Sequence, residues 1–197
     1  MLGVPLAAQT DAHWGIQGDY YAGTVPSQIV EHIKDLVEKP DIDAKSYNTG
    51  LVRFHADGSP NWAVEFTNTH LTIFGSRAFA SATVIGGIGA AEVHGSGNIR
   101  GAMASKYVTF FSRTHVSAGL ELGGGVAQLE ASYTHSYTGL NAAILAPVQN
   151  YSYTVPTFQA LALVDIRPVR WVSLSPFYGV RNGTYGFGGA LRIHFTR

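Results

Sequence analysis

The stretch YGFGGALRIHFT, residues 185–196, alternates between large apolar side chains and small or polar ones. Its apolar positions lie two residues apart with one gap at Gly189, and they are Tyr185, Phe187, Leu191, Ile193 and Phe195. Arg192 and His194 share the opposite face. Successive side chains of a β-strand point to opposite sides, so the pattern predicts a strand that separates an apolar medium from a polar one.

Seven further segments alternate in a similar way or are rich in β-branched and aromatic residues between turn residues. With the first they predict eight strands, at residues 12–22, 45–56, 61–74, 104–113, 117–133, 157–167, 170–180 and 185–196. A chain of 197 residues is long enough for one domain built from these strands.

The predicted connections alternate between short and long. Three are tight turns, at Asp57–Pro60, near Thr114 and at Arg167–Arg170. Three are long, at residues 23–44, 75–103 and 134–156. The last, Arg181–Thr184, is short, and its Asn-Gly pair favours a type I′ hairpin turn. Brief turns at one rim and long loops at the other are typical of membrane barrels.

The two faces of the strands indicate which medium lies on each side. A charged side chain that faces lipid at the bilayer midplane costs about 2 to 4 kcal/mol, so charges are expected to point into the lumen. The predicted fold is all-β, an eight-stranded antiparallel up-and-down transmembrane β-barrel. A soluble lipocalin-type barrel is the alternative, and it would need the apolar faces inside and the charges outside.

Composition agrees with a lipid-facing wall. Charged residues make up 13% of the chain and aromatic residues 12%, and the formal net charge is zero. A neutral balance gives no electrostatic basis for binding nucleic acid. The chain has no cysteine, which excludes disulfides and thiolate metal sites. No segment reaches the roughly 18 to 20 apolar residues that a helical span needs.

The domain prediction places a signal-peptide remnant or flexible N-terminus at residues 1–11 and an outer-membrane β-barrel domain at 12–197. Residues 1–11 contain an apolar tail that closes on small residues, as secretory signals do. Within the first long connection, a helical apolar stripe predicts a short amphipathic helix over Val25–Lys39, ended by Pro40.

Charged residues at lumen-facing positions predict a polar network. Pairing about the Asp57–Pro60 turn places Arg53 opposite Glu65, and a β-bulge at Gly123–Gly125 would bring both Glu121 and Glu130 inside. The predicted network consists of Asp19, Arg53, Glu65, Lys106, Glu121, Glu130, Asp165 and Arg192, with Gln17 and His194 as further candidates. Because side chains roughly fill an eight-stranded barrel, we expect a plugged lumen.

A hydrolase site would need a nucleophilic hydroxyl, a histidine within hydrogen-bond reach and an acid that orients it. The weak candidates cluster at the outer end of the fifth strand: Glu130, Ser132, His135 and Ser136. His135 and Ser136 are adjacent, so a strand would point them to opposite faces, and the sequence favours a non-catalytic rim histidine. The eight histidines lack metal-ligand spacing, so no metal or cofactor is predicted.

From His13 to Arg197, the strand alternation and the rhythm of the loops resemble the small eight-stranded outer-membrane proteins of the OmpA/OmpX kind. This resemblance implies a Gram-negative-type outer membrane, with membrane lipids and lipopolysaccharide as neighbours, and it implies no reaction. Some barrels of this size deacylate or acylate lipid A, but the sequence Thr134-His135-Ser136-Tyr137 does not match the spacing expected of a deacylase.

The sequence therefore favours a structural or interaction protein of the cell envelope, which presents its extracellular loops to an unknown partner. Three alternatives stay open at this point. They are a lipid-modifying enzyme of the outer membrane, a narrow porin-like channel for small solutes, and a soluble lipocalin-type binding barrel.

Overall fold

The computed structural model describes residues 13–24, 41–80, 88–139, 142–145 and 148–195, with the backbone alone for a few of them. These ranges contain β1 His13–Thr24, β2 Asp41–Phe54, β3 Pro60–Ala80, β4 Ile88–Arg113, β5 Val116–Gly139, β6 Ala142–Leu145, β7 Gln149–Val169, β8 Val172–Arg181 and β9 Thr184–Phe195. Residues 1–11 and the helix predicted over Val25–Lys39 lie outside the described residues. Within the described ranges, no helix could cross a membrane.

Eight of the strands form a closed antiparallel ring. Neighbours along the chain pair with each other, β1 also pairs with β9, and β4 pairs with both β3 and β5. The short strand β6 pairs with the outer end of β5 and stands outside the ring order. The predicted all-β, eight-stranded up-and-down architecture is confirmed.

Four strands are much longer than the sequence predicted. β4 begins at Ile88 and β7 at Gln149, so much of the predicted long connections at 75–103 and 134–156 is strand. β3 and β5 extend in the same direction, to Ala80 and Gly139. In these extensions the inward side chains are apolar and many outward ones are polar. The sequence prediction required an apolar outer face and therefore did not include them.

One row of register partners on the outer surface shows the lipid-facing wall. It crosses six strands of the ring, β1 to β5 and β7, and its members are apolar or small: Ile16, Leu51, Val64, Ala104, Gly124 and Phe158. Phe187 of β9 is 68% exposed, and Tyr178 of β8 is 63% exposed. Large apolar side chains exposed around the ring are expected where hydrocarbon covers the wall. The soluble-barrel alternative is therefore wrong.

A second outward row marks where the apolar band ends. It crosses β2, β3, β4, β5 and β7, and its members are all polar: Lys45, His70, Asn98, Glu130 and Ser152. The inner face of this part of the barrel carries an apolar cluster that includes Ile42, Leu71, Val93 and Ile99. Polar outside and apolar inside is the arrangement of a wall in water, so these strands extend beyond the membrane.

The register between β2 and β3 differs from the predicted one. Arg53 pairs with Trp62, and Glu65 pairs with Gly50, with an irregularity between Arg53 and Phe54. The connecting turn lies earlier in the chain than expected, since the His55 N–H donates to the Ser59 carbonyl at 2.8 Å. Asp57 stabilises this turn by accepting hydrogen bonds from the Ser59 backbone N–H at 2.9 Å and from its hydroxyl at 2.6 Å. The inner and outer faces of β2 are therefore exchanged relative to the prediction, and Arg53 lies on the outer wall.

The three glycines of β5 do not form the predicted bulge, since Gly123, Gly124 and Gly125 pair in unbroken register with β4. Each has a different environment. A Cβ on Gly123 would lie 2.7 Å from the Ser105 hydroxyl, and one on Gly125 would collide with the backbone oxygen of Ala102. A Cβ on Gly124 would meet only the Thr157 carbonyl oxygen, at 3.8 Å.

The predicted Asn-Gly hairpin between β8 and β9 is confirmed. Asn182 and Gly183 both have positive φ, at 51° and 76°, and Arg181 pairs with Thr184 across the turn. Two positive φ values are the requirement of a type I′ turn, whose twist matches the flanking strands. The turn also sets Arg181 at the last paired position of β8, where its side chain can enter the lumen.

Candidate functional site in the barrel lumen

Arg181 binds several polar groups in the half of the lumen that lies next to the Asn182–Gly183 turn. Its guanidinium donates to Asp19 Oδ1 at 2.5 Å and through Nε to Gln159 Oε1 at 2.7 Å, and it lies 3.6 Å from Glu65. The Asn48 amide donates to the same Asp19 oxygen at 2.6 Å. All of these side chains are buried. A buried charge is tolerated only when it is paired and hydrogen-bonded, and Arg181 and Asp19 meet that condition. Glu65 Oε2 accepts no hydrogen bond from the described residues and interacts with Arg181 through the ion pair.

Glu65 and Glu121 lie on the two strands that flank β4, and they share one donor. The Gln159 amide nitrogen lies 3.2 Å from Glu65 Oε1 and also donates to Glu121 Oε1. The Ser105 hydroxyl adds a 2.8 Å bond to Glu65. Gly123 makes this crowding possible because its missing side chain leaves the space that Ser105 and Gln159 occupy.

Arg192 binds a second set of polar groups, in the half of the lumen further from that turn. It donates to Asp165 Oδ1 at 2.8 Å, to Gln17 Oε1 at 2.8 Å and to the Tyr107 hydroxyl at 3.1 Å, and it also contacts the Ser175 hydroxyl. These are charge-assisted bonds in a space without bulk water, where they are strong and where an unpaired partner is costly.

Aromatic rings surround both guanidinium groups. Arg181 lies 5.2 Å from the centre of the Phe177 ring and 5.7 Å from that of Tyr21, and Arg192 lies 5.2 Å from the Tyr107 ring. Cation–π contacts of this kind favour a charge that has lost its water. Charged side chains, amides and aromatic rings therefore fill the described part of the lumen, and ion pairs and hydrogen bonds connect them.

Five of the predicted lumen residues lie inside the barrel, namely Asp19, Glu65, Glu121, Asp165 and Arg192. Gln17 and His194 are also buried, and the His194 ring stacks on Phe54 at 3.8 Å. The sequence interpretation missed Arg181, Gln159 and Tyr107. Arg181 and Gln159 have the same odd numbering as the other inward residues of their strands. Gln159 lies within the predicted strand 157–167 and could have been found by its parity with Asp165, and extending the strand predicted at 170–180 by one residue would have found Arg181.

The predicted lumen positions of Arg53, Lys106 and Glu130 are wrong. Arg53 moved outside with the β2 register, and Glu130 is outside because no bulge changes the parity of β5. Lys106 lies on the outer face of β4 next to Trp62, and its amino group donates to Asn61 Oδ1 at 2.6 Å. A lipid-facing lysine costs about 2 to 4 kcal/mol at the midplane, which a reach towards the rim reduces.

The weak catalytic candidates are not seen to form a site. Glu130 is exposed on the outer wall and Ser132 is partly exposed on the same face of β5. The side chains of His135 and Ser136 lie outside what the structure describes. Among the described residues, no group of three or more His, Asp or Glu side chains is placed to hold a metal ion.

No family model matches the chain, and no curated protein matches it. Among solved structures it is similar to Ail, the attachment invasion locus protein of Yersinia pestis, at 12% identity and a TM-score of 0.44, covering 93% of this chain and 99% of Ail. It is also similar to Neisserial surface protein A, at 13% identity and 0.43, covering 92% and 97%. The translocator domain of NalP from Neisseria meningitidis follows at 9% and 0.37, covering 94% and 88%.

The architecture rests on this chain's own strand pairing and on the chemistry of its two wall faces. Charges such as Arg181 and Arg192 are enclosed, while Phe187 and Tyr178 face outward. An ionic interior behind an apolar wall is stable only where hydrocarbon covers the outside, and a closed antiparallel ring leaves no strand edge unpaired there. Since an even-numbered ring of this kind is the form that spans the bacterial outer membrane, the chain is a small eight-stranded outer-membrane β-barrel protein.

Proposed function

We propose that this barrel is a plugged anchor, which holds a β-structured extension outside the membrane as a surface for envelope or extracellular partners. The observation that carries the proposal is the reversal of wall polarity between the row at Val64 and the row at His70. Strands that continue into water with a polar outer face provide a rigid contact surface, whereas a transport function would need an open lumen.

The outward polar row supports this role by its chemistry. It combines a cation, an anion and neutral hydrogen-bonding groups, and two of its members interact, since His70 Nδ1 lies 3.2 Å from Asn98 Oδ1. Arg100 is exposed on the same face of β4. Lys45 and Arg100 lie just beyond the apolar band, where phosphate groups of lipopolysaccharide are the anionic partners that they would meet.

The first experiment asks whether the extension is accessible. Because the chain has no cysteine, single-cysteine variants report one position each. We expect Asn98→Cys to react with a membrane-impermeant maleimide on intact cells. Ala104→Cys, on the same face of β4 but within the apolar band, is the matched control and should stay unreacted. Labelling of Ala104→Cys, or none of Asn98→Cys, would contradict the proposed position of the membrane.

The second experiment separates the plugged anchor from the channel alternative. In planar lipid bilayers, the purified barrel should give no steady single-channel conductance because Arg181, Arg192 and their partners occupy the lumen. Arg181→Ala should open a leak if the network is what blocks the pore. Steady conductance of the unaltered protein would favour the narrow channel over the anchor.

A further inference from the structure

Tryptophan and cationic residues alternate along one register row of the outer wall. The row runs Trp14, Arg53, Trp62 and Lys106 from β1 to β4 and then continues through Leu122 and Ala160. Trp14 and Trp62 meet edge to face, with ring centres 5.1 Å apart. Tryptophan rings prefer the level of the lipid headgroups, and cations at that level attract phosphate.

A groove of about 540 Å³ lies in the wall directly beside Lys106. Ala104 and Gly124, register partners on β4 and β5, form its floor. Trp62 and Val64 line one side, and Leu122 lines the other. The groove is apolar apart from Lys106 and Ser105, and the Ser105 hydroxyl donates inward to Glu65. Its floor belongs to the lipid-facing row described above, so its natural occupant is hydrocarbon.

Gly124 leaves this groove open without being required by the backbone. A Cβ there would meet only one carbonyl oxygen at 3.8 Å, whereas Gly125 next to it has no space for any side chain. Gly124 therefore differs from the glycines that close strand packing demands. The absence of a side chain at this position has one structural effect on the outer wall, which is to deepen the groove.

The position of Lys106 links the groove to the cationic row. The lysine amino group points back to Asn61, the second residue of β3, and uses one of its three donors there at 2.6 Å. Its other donors can bind an anionic oxygen. Arg53 is half-buried on the other side of Trp62 and supplies a second cation, close to the short turn at residues 55–59.

We propose that this surface is a binding site for one anionic phospholipid of the periplasmic leaflet. The headgroup phosphate binds Lys106 and Arg53 beside Trp62, and one acyl chain lies in the groove over Ala104 and Gly124. The short turn at residues 55–59 connects the strands that carry Arg53 and Trp62, and short turns lie on the periplasmic side, where the leaflet consists of phospholipids. The site offers both a cation pair for the phosphate and a matching apolar slot for the chain.

Trp62 gives a direct readout. In a protein with Trp14→Phe and Trp171→Phe, Trp62 is the remaining tryptophan, since the chain has three. The protein is reconstituted in phosphatidylcholine vesicles that contain a small fraction of phosphatidylglycerol with brominated acyl chains, which quench indole fluorescence on contact. We expect brominated phosphatidylglycerol to compete for Trp62 at least about threefold better than brominated phosphatidylcholine.

Two substitutions test the parts of the site separately. Lys106→Gln should reduce the preference to parity, and it should not impair folding because it removes a charge from the lipid-facing wall. Gly124→Leu fills the groove without changing charge and should reduce quenching by both lipids at Trp62. A control protein carries Leu191→Trp as its one tryptophan, on β9 between the uncharged register partners Gly18 and Leu174, and should show no preference.

The lipid site is tested by quenching of Trp62 fluorescence, whereas the anchor role is tested by maleimide labelling and conductance. Equal competition by the two lipids at Trp62 would overturn the site, as would a preference that survives Lys106→Gln or appears equally at Leu191→Trp. Heat-dependent mobility on gels would establish in each case that the variant has folded. None of these results depends on what the outer extension binds.

Discussion

Arg192 shows how much a single lumen residue contributes to the barrel. Its guanidinium holds Asp165, Gln17 and Tyr107 together at 2.8 to 3.1 Å. Arg192→Leu would leave the buried Asp165 carboxylate with the Ser175 hydroxyl at 2.5 Å and, among the described residues, with Arg167 at 3.8 Å as its one remaining cation. We expect a loss of about 3 to 5 kcal/mol in the free energy of unfolding, measured by urea titration in lipid vesicles.

The double variant Arg192→Leu with Asp165→Leu is the control for that loss. Replacing both charges by apolar groups removes the unpaired carboxylate, so it should recover much of the stability. If the double variant is as unstable as the single one, the cost lies in packing and not in the uncompensated charge.

Asp57, in the short turn outside the membrane, gives the barrel a dependence on acid. Burial on its own would raise the pKa of this carboxyl, but hydrogen bonds from Ser112 and Ser59, with the nearby Arg167, hold the pKa below its ordinary value of 3.8. The ionised form is thus favoured in the folded state. Its contribution to stability is fully present above pH 3.8 and is lost as the pH falls through the lower, folded-state pKa.

We therefore expect Asp57→Asn to lower the urea midpoint at pH 7, with a gap to the parent that closes below pH 3.8. Asp43→Asn, at an exposed outer-wall position, serves as the control and should shift the midpoint little at either pH. A gap between Asp57→Asn and the parent that grows on acidification would be incompatible with the lowered pKa.

At the scale of the strand, neighbouring glycines of β5 differ in the space that each leaves for a side chain. Gly125→Ala should prevent or strongly destabilise barrel formation because its Cβ meets the backbone of Ala102, which cannot move without breaking the β4–β5 register. Gly124→Ala has space, and it should be neutral or stabilise by about 0.4 to 1 kcal/mol through the unfolded chain. Heat-modified gel mobility and urea midpoints of the pair measure both effects, and equal behaviour would show that the two environments do not differ.

The strands also show where sequence reasoning succeeds and where it stops. The sidedness of β3 and β9 was readable because Phe66 and Glu65, or Ile193 and Arg192, differ sharply in transfer free energy. The register of β2 was not readable, since it depends on how the Asp57 side chain closes the turn. The position of Glu130 was predicted wrongly for another reason. A strand that continues beyond the membrane changes from an apolar to a polar outer face, and the sequence does not show at which residue this change occurs.

At the scale of the whole molecule, the position of the membrane is set by two outward rows of the same wall. The same substitution should therefore have opposite consequences at two heights. Leu191→Arg places a cation on the apolar band and should cost about 2 to 4 kcal/mol in the free energy of unfolding into water from vesicles. Asn98→Arg, outward on the polar row, should cost about 0.5 kcal/mol or less.

The two substitutions can be compared directly because both positions are on the outer face of the ring and neither side chain belongs to the lumen network. Leu191 is 47% exposed in the isolated barrel, so burial within the protein does not explain a penalty there. If both substitutions cost the same in vesicles, the polarity reversal would not mark the membrane boundary. If Leu191→Arg becomes harmless when vesicles are replaced by a thin short-chain detergent layer, the penalty belongs to the hydrocarbon that covers the wall.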